Sequence, residues 1–233
     1  MFSNKHPFLT AFSLALGSAI ALGLARFSYG LLLPVMKEDL DWSYLVAGTM
    51  NTANALGYFF GALSSPMIMR KMSVHRFFIV ASIITGCFLY FSGATDNTSL
   101  LFVLRVIAGV SSAWVFVAGG VLVSQLGTIH SSRSGFLLGI YYGGPGLGIF
   151  ISTLAVPFFV EWGIRAQWEH SWQLAWYALG ILCIALTVVL IRPVTSIPAI
   201  PPKPMGHSGT PLQTYVPVLA AYFMFGVGYI GYM

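Results

Sequence analysis

The chain has 233 residues, of which 57% are hydrophobic and only 7% charged, against about 25% charged in an ordinary soluble domain. That composition excludes a water-soluble globular protein and fits an integral membrane protein. The formal net charge of +5 follows from where the cations sit relative to the bilayer, and it calls for no nucleic-acid partner.

Apolar windows long enough to cross about 30 Å of hydrocarbon at 1.5 Å per residue fall at roughly 8–34, 44–69, 75–95, 98–126, 135–160, 171–191 and 214–233. They are continuous and rich in Gly and Leu, without the alternating ten-residue segments of a membrane barrel. The expected fold class is therefore all-α integral membrane. The first window follows Lys5, exceeds the roughly 7–15 apolar residues of a signal peptide and contains Arg26, so it reads as a retained helix. Arg26 needs a reason: a guanidinium at mid-membrane costs roughly 2.5–3.5 kcal/mol on insertion scales.

In the second window Asn51, Asn54 and Tyr58 share a face by i, i+3, i+7 spacing, with Gly57 and Gly61 along a packing edge. This face meets either a cavity or a neighbouring helix through hydrogen bonds. Cys87 and Cys183 lie inside the third and sixth windows, where apolar packing is favoured over a disulfide or a metal site. The fourth window carries Arg105. Counted from the outer Lys37 and Asp96, Arg26 and Arg105 lie at depths of about 16 and 14 Å, nearly the same level. In the fifth window Gly135, Gly139 and Gly143 form a GxxxGxxxG face suited to close helix approach, and Pro145 removes a backbone hydrogen bond where the helix can bend.

Between Arg192 and Gln213 stand Pro193, Pro198, Pro201, Pro202, Pro204 and Pro211, which favour an extended connector and mark a domain boundary. The expected division is a six-helix domain at 1–192, a cytoplasmic proline-rich linker at 193–213 and the first helix of an incomplete second domain at 214–233. In that last stretch "GVGYIGY" (226–232) can be laid over "GLARFSY" (23–29), as a second repeat would allow.

With the N-terminus cytoplasmic, the inner side holds Lys5, Arg70, Lys71, Arg76, Arg133, Arg192 and Lys203, and the outer side only Lys37 and Arg165. This bias sets the orientation. All six acidic residues then fall outside, and Trp42, Trp162, Trp168, Trp172 and Trp176 gather near the outer ends, as an interfacial belt would.

Six helices, a cytoplasmic linker and a returning first-helix pattern resemble half of a major facilitator superfamily transporter. "LRVIAGVSSA" sets Arg105 four residues before Gly109, similar to that family's arginine motif on the fourth helix. "GIYYGGPGLG" contains Gly144, Pro145 and Gly148 in the order of its GPxxG motif. The stretch from 23 to 63 looks closest to the YbfB/YjiJ-type branch. One departure stands out: "GALSSPMIMRKMSVHR" has Ser65 where the family's second loop carries an acid, while Arg70, Lys71 and Arg76 remain.

The resemblance implies a six-helix half-bundle plus the seventh helix, with the first and fourth helices lining a central cavity. Arg26 and Arg105 then form a cationic pocket for a carboxylate- or phosphate-bearing solute, with Tyr29, Asn51 and Asn54 as further substrate-binding residues. Gly144, Pro145, Gly148, Arg70, Lys71 and Arg76 are the candidate gating residues. The alternative for the arginines is structural, tying helix ends together through backbone carbonyls or pairing with an acid in the other half.

The function implied is secondary active transport of a small solute by alternating access, in a bacterial inner membrane. Its partners are the lipid bilayer, the solute and a missing C-terminal half, and it needs no cofactor. The competing readings are a truncated, non-transporting membrane fragment and a seven-helix receptor. The receptor would need its N-terminus outside, and a retinal protein a lysine in the last helix, which 214–233 lacks. No nucleophile–histidine–acid set or metal-ligand cluster lies within the windows, so an enzyme is not expected. All five histidines lie in loops or at helix ends.

Overall fold

The computed structural model describes residues 2–198 and, beyond them, Val216, Pro217, Ala220, Ala221 and Met224, each in helical conformation. The linker expected at 193–213 begins within a helix, Ser171–Thr195, and from 199 onward it lies, like the expected seventh helix at 214–233 and the "GVGYIGY" repeat, otherwise outside the described residues. The chain divides into two units at Pro198 and Ala199, and the first is a bundle of helices.

A short helix, α1 (Phe2–Lys5), leads into a 33-residue rod, Pro7–Asp39, built of α2 (Pro7–Ser18), a π-helical segment (Ala19–Phe27) and α3 (Ser28–Asp39). Then come α4 (Tyr44–Met69), α5 (Val74–Ser92), α6 (Thr98–Ile129), a 3₁₀ turn (Ser131–Arg133), α7 (Ser134–Arg165) and α8 (Ser171–Thr195). The starts have chemical causes. Pro7 opens α2, where its missing N–H is not needed. Ser43, Ser73 and Asn97 cap α4, α5 and α6 by accepting the backbone N–H of Val46, Arg76 and Leu100. The α3–α4 and α7–α8 turns pass through Asp41 and Gln167 at φ 50° and 53°.

The rod, α5, α6, α7 with its preceding turn, and α8 are long and apolar enough to cross a membrane. At 26 residues α4 has the length but is not among them. Thr49, Asn51, Thr52 and Asn54 lower its hydropathy, although Leu56, Phe59, Phe60 and Leu63 leave an exposed apolar face on the span expected at 44–69. At the other end of the body α8 runs on through Pro193 to Thr195.

Three seams of small residues hold the bundle. Gly57 and Gly61 of α4 press on the backbone of Val106 and Val110, and Gly109 of α6 presses back on Asn54 and Tyr58. Gly86 of α5 meets Gly180 of α8, and Gly144 and Gly148 of α7 meet Ala15, Ser18, Ala19 and Gly23 of the rod. At each seam a Cβ would collide with backbone, which is how lipid-immersed helices gain contact without a hydrophobic driving force. Gly57 and Gly61 therefore form the packing edge expected of them, against α6.

The opposite outcome is seen on α7, where Gly135, Gly139 and Gly143 are exposed and no described residue lies within 4 Å of where their Cβ atoms would stand. The helix is continuous through Pro145 and Pro157.

The helix ends are tied at both rims. On the side assigned as outer, His170 Nδ1 lies 2.6 Å from Asp39 Oδ2, Trp172 Nε1 donates to the same oxygen at 2.6 Å, and His170 Nε2 lies 3.8 Å from Asp96. At the opposite rim the Ser3 hydroxyl donates to the Ser196 carbonyl, and His75 Nε2 is 2.9 Å from the Ile197 carbonyl. The expected tryptophan belt is thus partly overturned. Trp162 and Trp168 are exposed, but Trp42 is 6% exposed and Trp172 and Trp176 not at all. Trp172 is held by the Asp39 carboxylate at the rim assigned as outer, and Trp176 lies against the buried Arg105 guanidinium.

Candidate functional site

The π segment and the fourth long helix build the site. Nine residues of π-helix are unusual, since such widened turns are mostly short and occur at functional sites. Two of its backbone carbonyls are engaged by other helices. The Gly23 carbonyl accepts the Ser152 hydroxyl of α7 at 3.1 Å, and the Ala25 carbonyl accepts Arg105 Nη1 at 3.4 Å. Side-chain donors that compete for carbonyls disturb the i→i+4 ladder. Gly23 and Gly148, both without a Cβ, let α7 come close enough to do so.

Arg105 is 2% exposed. Its guanidinium carbon lies 4.6 Å from the ring centre of Tyr29 and 5.3 Å from that of Trp176, so aromatic faces stabilise its charge. Among the described residues it has no carboxylate partner, and its Nε and Nη2 are buried without a hydrogen bond. The Arg105 carbonyl accepts the Asn54 amide of α4 at 3.1 Å, while Asn54 Oδ1 is buried without a partner. Tyr29 is held from behind by donating its hydroxyl to the Ala47 carbonyl at 2.9 Å.

Arg26 emerges from the last turn of the π segment, partly exposed, with its guanidinium carbon 5.6 Å from the ring centre of Tyr58. The two arginine charges are near enough to act on one another.

The structure therefore brings together Arg26, Arg105, Tyr29 and Asn54, and adds Tyr58 and Trp176. Asn51 lies one turn from Asn54 and is partly buried. Gly144, Pro145 and Gly148 are elsewhere, with the two glycines at the seam between α7 and the rod. Arg70, Lys71 and Arg76 are exposed at the α4–α5 turn, the rim opposite His170. The sequence reading placed Trp176 in the belt and so missed it. Its i, i+4 relation to Trp172 was the available signal, since two aromatic residues on one helical face mark a buried stripe as readily as an interfacial one. No group of three His, Cys, Asp or Glu suited to a metal occurs among the described residues.

An all-helical bundle with two arginines near one another and a GPxxG seam agrees with a sequence-level finding. The profile of a family described as "Uncharacterised MFS-type transporter YbfB" matches residues 18–233, which include the π segment, both arginines and every helix from α3 to α8. The chain belongs to this family of MFS-type membrane transporters.

Proposed function

We propose that the chain acts in secondary active transport, moving a small anionic solute by alternating access through a bacterial inner membrane with its N-terminus in the cytoplasm. The observation that carries the anionic reading is Arg105: a buried guanidinium with no carboxylate partner among the described residues, beside a second arginine on the first helix. An uncompensated charge in a low-dielectric interior is costly. A carboxylate or phosphate offers the compensation that Asp and Glu, all at or near helix ends on one rim, do not supply.

Substrate contacts are assigned to Arg26, Arg105, Tyr29, Asn51 and Asn54. Conformational roles fall to Gly144, Pro145 and Gly148, at and beside the seam between α7 and the π-helical rod, and to Arg70, Lys71 and Arg76 at the inner rim. The lipid bilayer, the solute and a C-terminal half complete the working assembly.

Uptake of anionic, neutral and cationic solutes into proteoliposomes tests this reading. Uptake confined to anions, and lost on Arg26→Ala, is expected; a preference for cations that survives Arg26→Ala and Arg105→Ala would overturn it. Orientation is tested by impermeant thiol labelling of intact cells, where Ala166→Cys should react and Lys71→Cys should not.

A further inference from the structure

On two neighbouring side chains of the bundle three nitrogen donors are buried and have no partner among the described residues: Nε and Nη2 of Arg105, and Nε1 of Trp176. The first two belong to the same edge of the guanidinium. The opposite edge is anchored, since Nη1 donates to the Ala25 carbonyl of the π segment, and Tyr29 lies against the group at 4.6 Å. The fork is therefore held in place with one complete edge unused. The indole ring of Trp176 is centred 5.3 Å from the guanidinium carbon and fully buried, so its unpaired N–H belongs to a side chain next to the guanidinium. Buried donors in folded proteins are nearly always satisfied, and each that is not carries a desolvation penalty. Three of the unsatisfied groups here are donors, two of them on a cation, and the unsatisfied acceptor is Asn54 Oδ1.

We infer that the Nε–Nη2 edge of Arg105, together with the indole N–H of Trp176, is a carboxylate-binding subsite, and that the transported solute carries that carboxylate. This inference rests on the anionic reading proposed above and adds its chemistry. A planar carboxylate presents two oxygens at the spacing of the guanidinium edge, and its further lone pairs take the indole donor. A spherical anion matches the charge but not the paired geometry. Arg26, partly exposed beside Tyr58, then makes a second, more solvated contact with the solute, while Arg105 and Trp176 hold the carboxylate. Trp176 thereby acquires a specificity role that its place near a helix end hides.

The test is equilibrium binding of acetate and benzoate to the purified 233-residue chain in detergent, with acetamide, benzamide and chloride as controls. The wild-type minus Trp176→Phe difference in tryptophan emission isolates Trp176 as a reporter. Both carboxylates should bind and shift that difference spectrum, and the two amides should not. Arg105→Lys, which keeps the charge and loses the fork, should weaken carboxylate binding by about tenfold or more. Trp176→Phe, which keeps the ring and loses the donor, should weaken it by about threefold. Circular dichroism and monodispersity confirm that each variant is folded.

Carboxylate binding that depends on Arg26→Lys but is unchanged by Arg105→Lys and Trp176→Phe would overturn this subsite while leaving an anion transporter in place. Chloride binding as tightly as acetate, with equal loss in both variants, would overturn the planar fork. Binding of neither carboxylate nor chloride would overturn the subsite, and cation-selective uptake in proteoliposomes would separately overturn the anionic reading beneath it.

Discussion

The α4–α6 seam and the outer face of α7 carry the same sequence signal and meet opposite fates. Gly57 and Gly61 are four residues apart, as are Gly135, Gly139 and Gly143. The first pair is pressed against the backbone of α6, with Gly109 returning the contact, while the triplet has no described neighbour within 4 Å. Spacing alone therefore states that a helix can be approached closely, not that it is. What distinguishes the seam is a second layer of chemistry. Asn54 stands between Gly57 and the start of α4 and donates to the Arg105 carbonyl, and Trp114 donates to the Ser64 hydroxyl further along. Polar links between helices fix register where van der Waals contact alone would allow sliding.

The largest effect expected from this contrast is at Gly109. Its missing Cβ faces the Asn54 carbonyl and the Tyr58 N–H, so Gly109→Leu forces backbone apart and should cost on the order of 1–3 kcal/mol or more. Steric trapping or urea-linked unfolding in detergent would measure it. Gly148→Val should follow closely, because the side chain would enter the rod at Ala19 and Gly23; loss of the π-helical register there should also abolish the Arg105 contact with Ala25.

Next in size is Asn54→Ala, which removes one interhelical hydrogen bond worth about 0.6–1.7 kcal/mol by analogy with measured membrane pairs. Because Asn54 Oδ1 is itself buried without a partner, the net loss should lie toward the lower end. Ser152→Ala should cost less still, about 0.6 kcal/mol, and is best read by hydrogen exchange at Gly23 and its neighbours. Smallest of all should be Gly139→Leu in the same detergent assay, within about 0.5 kcal/mol of wild type. A loss there as large as at Gly109 would erase the distinction between the two glycine patterns.

Much of the scaffold was readable in the residues. The boundaries expected at 44–69 and 171–191 match α4 and α8 closely, because long apolar runs bounded by Ser43 or by charged turns leave the backbone no other way to satisfy its hydrogen bonds in lipid. The meeting of Arg26, Arg105, Tyr29 and Asn54 was partly readable, since equal depth on two helices places side chains at one level without saying which way they turn. The π segment was not readable at all. "AIALGLARF" has no local feature that demands i→i+5 bonding, and the donors that engage its carbonyls, Ser152 and Arg105, are more than seventy-five residues away in the chain.

Composition and spacing by themselves determined that this chain lies in a membrane, that its backbone is helical, and that two arginines stand within its apolar windows. These are consequences of solvent: hydrocarbon offers backbone groups no partner, and it makes every retained charge conspicuous. Tertiary structure alone decided which glycines are contacts, which tryptophans leave the interface, and which edge of Arg105 is already engaged. Those outcomes depend on donors and carbonyls supplied by other helices, and a local reading cannot sum contributions that arrive only when distant segments pack.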